Sequence, residues 1–487
     1  MLEWFGAVFI ILLVAVIWTA SKHLGLPSQS NVQGLGHLRR EWREKVSEKC
    51  IPSRDVGAGQ GVDGSPGESP SVALICKPSA LANYLLKHCV TFCKLRPWPW
   101  WNWRASPLLQ SIFAICWTHE CSVHFVRDHL QMSDDGIVAL DWAVAASASM
   151  HKRRRTSSNS TSPILLIIPN SFGKITRNVL KLCEVALTHG YLPVVFNRRG
   201  HNGTPLSTVK LQQFGDPADL REAVRYIRYR QPAGRLYAVS ESTGSGLLLS
   251  YLGECGSSSY VTAAACLSPI FRCQSWFESG PAWPFHWALL LYQKTWLSRY
   301  RTVLGDTVQT DALFSSASLR TMEEVLFCHH PSPPASDTSS GGAWEAYWER
   351  NDPLRDVDEV AIPVLCVCSQ DDPVRGDPES SLPLELFESN PHFFLLLTAH
   401  GGHCAFSVPG EGATDATVWS HEALLDFLRA TSDFFAAEER AKHAARRRGL
   451  SGSGKALRHR TVSTCRKVPA CSHNIHAIYS WQRSYTR

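Results

Sequence analysis

The strongest constraint on the fold is a series of short, unbroken apolar runs, each closed by a loop and followed by helical spacing. PILLIIPN ends at Pro169 without alternating polar residues, the pattern of a strand covered on both faces. The spacing that follows predicts a helix over 177–189. LPVVFNRRGHNG is a second run closed by a Gly-bearing loop, and DPADLREAVRYIRYR after it carries Leu220, Val224 and Ile227 at helical intervals. LYAVS supplies a third strand with GLLLSYLGE as its helix, and TAAACLSP and PVLCVCS supply further buried strands. This alternation predicts an α/β fold with a mostly parallel, doubly wound sheet. Upstream, DDGIVALDWAV predicts a strand pair turning at Gly136. Between Ser268 and Val360 the pattern breaks into aromatic-rich helical stretches such as FESGPAWPFHWALLLYQKTWLSRY. This insertion, about 269–358, is expected to form a helical lid.

With 487 residues, 44% hydrophobic and 19% charged, the chain has core enough for one large domain over 71–436. Residues 1–25 contain WFGAVFIILLVAVIWTA, a run of about seventeen uncharged residues at the short limit for a membrane helix. Glu3 precedes it and Lys22, Arg39, Arg40 and Arg43 follow, the reverse of a cleaved signal peptide. An uncleaved membrane anchor is therefore expected, secretion after cleavage being the alternative. The positive-inside tendency favours a cytoplasmic domain, and modification of Asn159-Ser160-Thr161 would report the opposite side. Residues 26–70 are Gly- and Ser-rich and read as a flexible tether. Residues 437–487 are basic, with too little apolar periodicity for a domain, and read as a disordered tail. The net charge of +6 comes from clusters at Arg39, Arg40 and Arg43, Lys152 to Arg155 and Arg446 to Arg448, read as solvated. No nucleic-acid motif accompanies them. The sixteen cysteines lack paired zinc spacing and are read as free thiols. His119-Glu120 begins like a zinc-protease helix, but Val123 stands where the second histidine belongs. No metal or cofactor is expected.

Ser240-Glu241-Ser242-Thr243-Gly244 lies between an apolar strand and an apolar helix, with small residues two before and two after Ser242. A sharp strand-to-helix turn that exposes a nucleophilic serine needs that spacing. A serine hydroxyl requires an imidazole to take its proton and a carboxylate to orient the imidazole. Asp372, after the PVLCVCS strand, is the expected orienter, with Asp371 the adjacent alternative. His403, in the glycine-rich loop that ends the strand segment FFLLLTAHGGHCAF, is the expected base, with His400 competing. Ser, Asp, His is also the order in which such a triad is strung along an open α/β sheet.

FNRRGHNGTPL, DDGIVALDW, VSESTGSGLLLSYLGE, CSQDDPV and HGGHCAF together resemble the α/β-hydrolase domain proteins related to bacterial YheT-type esterases, over residues 93–436. The resemblance implies an α/β-hydrolase fold and a membrane-associated hydrolase of lipid or other carboxylic esters. It implies no cofactor and places nucleophile, acid and base at Ser242, Asp372 and His403. Two departures stand beside the chemistry. Relatives begin the oxyanion loop with His-Gly and have Gly-Phe-Ser at the elbow, where this chain has Pro169-Asn170-Ser171 and Ser240-Glu241-Ser242. The expected oxyanion donors are the backbone N–H groups of Thr243 and Ser171. A Glu241 carboxylate about 6 Å from the oxyanion would oppose it by roughly 3 kcal/mol at an effective dielectric near 20, unless it turns away or meets Arg198 or Arg199. These departures motivate an alternative, a catalytically weak or inactive scaffold that binds a protein partner in lipid metabolism. Trp276, Phe277, Trp283, Phe285 and Trp287 belong to the expected lid, as core or as acyl lining.

Overall fold

The computed structural model describes residues 72–95, 98, 102–116, 123–145, 161–328, 341–409 and 416–451. The apolar run at 4–20, the tether, the basic loop with Asn159, the His119-Glu120 pair and residues 452–487 lie outside them. Among the described residues no helix is long and apolar enough to cross a membrane.

Nine strands form one sheet: β1 (Val72–Ile75), β2 (Val123–Gln131), β3 (Ile137–Ala145), β4 (Ile164–Ile168), β5 (Leu192–Asn197), β6 (Leu236–Glu241), β7 (Val261–Leu267), β8 (Val364–Ser369) and β9 (Phe393–Thr398). Their order is β1-β9-β8-β7-β6-β4-β5-β3-β2. From β9 to β5 every neighbour is parallel, whereas β1 and the β2–β3 pair are antiparallel additions at the two edges. The β2–β3 turn comes at Met132–Gly136, where Met132 N–H donates to Gly136 O at 2.8 Å. The sheet is the mostly parallel, doubly wound one that the apolar runs predict. Strands built after β4 proceed in opposite directions from it, β5 to one side and β6 onward to the other, so the strand order reverses at β4 and β6. In open α/β sheets that crevice, at the carboxyl ends of the strands, is where ligands bind.

Helices cover both faces. On one side α1 (Ala80–His88), α3 (Arg177–Thr188) and α12 (Trp419–Ser451) contribute Leu81, Leu182 and Leu424 to a core with Val239 and Phe394. On the other, α4 (Ala218–Arg230) and α5 (Gly244–Cys255) bury Leu220, Val224, Leu248 and Leu252 against Leu166 and Cys366. A further helix, α2 (Pro107–Cys116), precedes β2. The helical spacing at 177–189 and 218–230 is thus the spacing of a buried face.

After β7 the chain leaves the sheet for α6 (Cys273–Ser279), α7 (Trp283–Ser298), α8 (Arg301–Leu304), α9 (Thr310–Ser315), α10 (Leu319–Phe327) and α11 (Gly341–Asn351). These pack around a third core with Phe172 and Phe214, which includes Trp276, Phe277, Trp344, Tyr347 and Trp348. Trp276, Phe277 and Phe285 are buried, but Trp283 and Trp287 are each 51% exposed.

The tail expected to lack structure from 437 onward departs from that expectation at its start. Helix α12 runs without a break to Ser451. Residues 437–448 (AEERAKHAARRR) are strong helix formers, so the helix propagates beyond its last buried turn by propensity without needing an apolar stripe.

Candidate active site

The serine turn is held from three sides. Ser242 sits at φ 54°, a left-handed conformation uncommon for a side-chain-bearing residue. Its N–H donates to Leu267 O of β7 at 2.8 Å, which ties the turn to the neighbouring strand end. Behind it, a Cβ on Gly244 would stand 2.1 Å from Pro169 O, so only glycine lets α5 approach the loop after β4. Ser240 is fully buried and bonds Ser245 Oγ at 2.9 Å. The requirement for small residues at both flanks is therefore a matter of contact with named atoms.

His403 reaches the same point from the loop after β9. Its Nε2 is 2.7 Å from Ser242 Oγ, and its Nδ1 is 2.8 and 3.0 Å from the two carboxylate oxygens of Asp372. Asp372 Oδ1 also accepts the backbone N–H groups of Val374 and Arg375, at 2.9 and 3.0 Å. Burial by itself pushes this carboxyl up, but the charge and hydrogen bond of His403, with Arg375, hold it below the usual carboxylate range. The fold thus brings together Ser242, Asp372 and His403.

The competing pair is used elsewhere. Asp371 accepts the N–H groups of Gly401 and Gly402 at 3.1 and 3.0 Å, and its other oxygen meets His400 Nδ1 at 3.2 Å. The His400 side chain is 67% exposed. Adjacent carboxylates thus divide the work, Asp371 shaping the glycine loop and Asp372 orienting the ring. Ser111 of α2, a position that carried no sequence signal, accepts the His403 N–H at 2.8 Å.

The oxyanion loop differs from expectation. The N–H of Ser171 does not point freely at the serine; it donates to Thr243 Oγ1 at 2.9 Å, and the Ser171 hydroxyl bonds the same oxygen at 2.9 Å. The loop here runs Pro169-Asn170-Ser171, and the hydroxyl of Thr243 joins it to the elbow.

Glu241 meets neither Arg198 nor Arg199. Its two oxygens lie 3.0 and 2.9 Å from the hydroxyl of Thr176, the residue that caps α3. Burial pushes its carboxyl up to about 7, with the Thr176 bond and the charge of His403 acting in the opposite direction. A Thr followed by an apolar helix is a legible cap signal, but nothing in the sequence assigns its hydroxyl to Glu241.

Ser242, Thr243, Glu241 and His403 line one wall of a cavity of about 350 Å³, and Phe172, Trp276, Phe285, Leu289 and Tyr292 supply much of the rest. Of the expected lid aromatics, Trp276 and Phe285 face this cavity, whereas Phe277 packs between Phe214 and Trp348. Among the described residues no group of three or more His, Cys, Asp or Glu side chains is arranged to hold a metal ion.

A reversed strand order at β4 and β6, a serine elbow on β6 and a histidine loop after β9 define an α/β-hydrolase. No protein-family model matches the chain. Human Protein ABHD15 is 49% identical over 486 residues, 96% of this chain and 99% of the human one. The chain therefore belongs to the ABHD15 family of α/β-hydrolase domain proteins. Mouse Phospholipase ABHD3 is 26% identical over 348 residues, 68% of this chain and 78% of its own. The yeast Monoacylglycerol lipase (Saccharomyces cerevisiae) is 23% identical over 288 residues, 57% of this chain and 62% of its own.

Proposed function

We propose that this protein is a serine hydrolase of carboxylic esters, with lipid esters as its substrate class. The observation that carries the reading is the unbroken Ser242–His403–Asp372 hydrogen-bond chain at the wall of a largely apolar cavity of about 350 Å³. His403 Nε2 takes the Ser242 proton as Oγ adds to the ester carbonyl carbon. The tetrahedral oxyanion collapses, His403 returns the proton to the departing alkoxide, and the acyl group stays on Ser242. Water then adds to the acyl-enzyme with His403 again as base, releasing the carboxylic acid and restoring the serine. Asp372 stabilises the imidazolium at both stages. The oxyanion is met by the Thr243 N–H at the head of α5 and by the Thr243 hydroxyl, which the two bonds from Ser171 polarise. The relationship to a mouse phospholipase and a yeast monoacylglycerol lipase supports lipid esters as the substrate class. The apolar run at 4–20 supports a membrane tether for the chain.

Fluorophosphonate labelling of the full chain tests the reading. Labelling of the folded protein that disappears in both Ser242→Ala and His403→Ala supports an activated serine. Absence of labelling in a folded wild-type chain overturns it in favour of the scaffold, the reading that the engaged Ser171 N–H and the Glu241 carboxyl favour.

A further inference from the structure

The loop after β5 carries two neighbouring arginines whose surroundings differ. Arg199 is fully engaged: Nε and Nη2 donate to Asp219 at 2.7 and 2.6 Å, and Nη1 and Nη2 donate to Asp134 at 2.8 and 3.0 Å. Arg198 is as deeply buried, 5% exposed, yet among the described residues neither its Nε nor its Nη2 has a hydrogen-bond partner. Burial lowers the guanidinium to about 10, opposed by the charges of Glu323, Tyr347, Asp219 and Asp216, so it stays cationic at neutral pH. Unmet donors on a buried cation are costly, and an interior rarely keeps them without use.

Arg198 lines a cavity of about 50 Å³ beneath the lid, together with Ser171, Gln212, Trp296 and Glu323. A cavity of that size holds roughly three or four water-sized groups, the scale of one tetrahedral oxyanion. A second orphan sits in the same wall: Gln212 Oε1 is buried without a partner, its Nε2 being bound to Asp216 O at 3.1 Å. Glu323 accepts from Tyr347 Oη at 2.6 Å and takes nothing from Arg198 Nε or Nη2. Burial pushes Glu323 up to about 7, with Tyr347 and Arg198 acting in the opposite direction.

We propose that this cavity binds a hydrogen-phosphate group, gripped by Nε and Nη2 of Arg198 and recognised through its P–OH by Gln212 Oε1. The guanidinium edge presents two parallel donors that match two phosphate oxygens. The unpaired acceptor on Gln212 selects for an anion that still carries a proton, which a carboxylate lacks at neutral pH. Neither Ser242 nor His403 lines this cavity, and Phe172 lines both it and the ester-sized one, so the two adjoin without sharing the catalytic serine. Ser171 lies between them, with its N–H and hydroxyl on Thr243, so a bound phosphate abuts the loop that faces the serine. The assignment does not rest on the esterase reading.

Isothermal titration calorimetry of inorganic phosphate into the full chain in detergent, paired with thermal unfolding, tests it. The expected result is saturable binding and a phosphate-dependent rise in Tm, with affinity reduced at least tenfold in Arg198→Met and raised in Glu323→Gln. Without phosphate, Arg198→Met keeps or raises Tm, because an unmet buried charge is removed. Gln212→Leu provides a second variant that leaves the charge in place and weakens phosphate severalfold. Glycerol 3-phosphate and short-chain phosphatidate titrated in parallel distinguish the source: tighter binding than phosphate assigns a lipid headgroup, equal binding assigns the free ion. No saturable heat with wild type, equal affinity in Arg198→Met, or acetate binding as well as phosphate overturns the proposal.

Discussion

Ser171 and Thr243 are joined twice, the N–H of Ser171 donating to Thr243 Oγ1 at 2.9 Å and the Ser171 hydroxyl bonding the same oxygen at 2.9 Å. Two incoming donors fill both lone pairs of a hydroxyl oxygen and leave its own hydrogen as the group to spend. If that hydrogen meets the oxyanion, Thr243→Val lowers kcat on a p-nitrophenyl ester by about a hundredfold with KM little changed. Thr243→Ser keeps most of the rate. A rate that rises in Thr243→Val would show instead that the side chain occupies a donor the reaction needs.

Gly244 gives a steric test of the elbow. A Cβ there meets Pro169 O at 2.1 Å, a backbone atom that cannot rotate aside. Gly244→Ala is expected to destabilise the fold by about 1–3 kcal/mol in urea unfolding and to abolish serine labelling by separating the elbow from the loop after β4. Gly342→Ala, with nothing within 4 Å, is the matched control and leaves both unchanged.

Glu241 predicts a pH dependence. Burial pushes its carboxyl from the ordinary 4.5 up to about 7 in the folded chain. Between those values the unfolded state has released a proton that the folded state retains, so this group lowers stability as pH rises from about 4.5 to about 7 and adds no further change above. Glu241→Gln removes the effect and is expected to gain on the order of 3 kcal/mol at pH 8 and little at pH 4. The same variant should flatten an alkaline decline in ester turnover, since the ionised carboxylate opposes the oxyanion. Parallel urea titrations and rate profiles at pH 5 and pH 8 check both arms; an unchanged difference between the two pH values sinks the assignment.

The sheet was legible because buried parallel strands must be apolar at every position, and PILLIIPN, LYAVS and PVLCVCS have no other reading of comparable economy. Ser242 and His403 were legible as candidates because each follows such a strand in a turn of small residues, and a carboxylate near 371–372 because it follows the PVLCVCS strand. The edge strand β1 (VALI) and the hydrogen bond of Ser111 to His403 were not, because four apolar residues or one serine specify nothing until distant segments meet. The sequence favours Asp372 over Asp371 without a chemical difference between them, and it is the loop geometry of Gly401 and Gly402 that divides the two. Thr243 escaped for a different reason. Its backbone was expected to act, and a side-chain bond to Ser171 follows only from the close approach that Gly244 permits.

That division of labour between adjacent carboxylates yields the last prediction. Asp372→Asn keeps the shape but presents an amide to His403 Nδ1, favouring the wrong ring tautomer, and is expected to reduce kcat by roughly ten-thousandfold. Asp371→Asn retains an oxygen for the Gly401 and Gly402 N–H groups and is expected to stay within about tenfold of wild type, the residual loss reflecting a looser loop. The two also part in acid. Because the Asp372 pKa is depressed on folding, its contribution to stability is present above the ordinary carboxylate range and is lost as pH falls below it. Asp372→Asn therefore flattens the acid limb of the stability profile. Equal kinetic losses in the two variants would reject Asp372 as the sole orienter of His403.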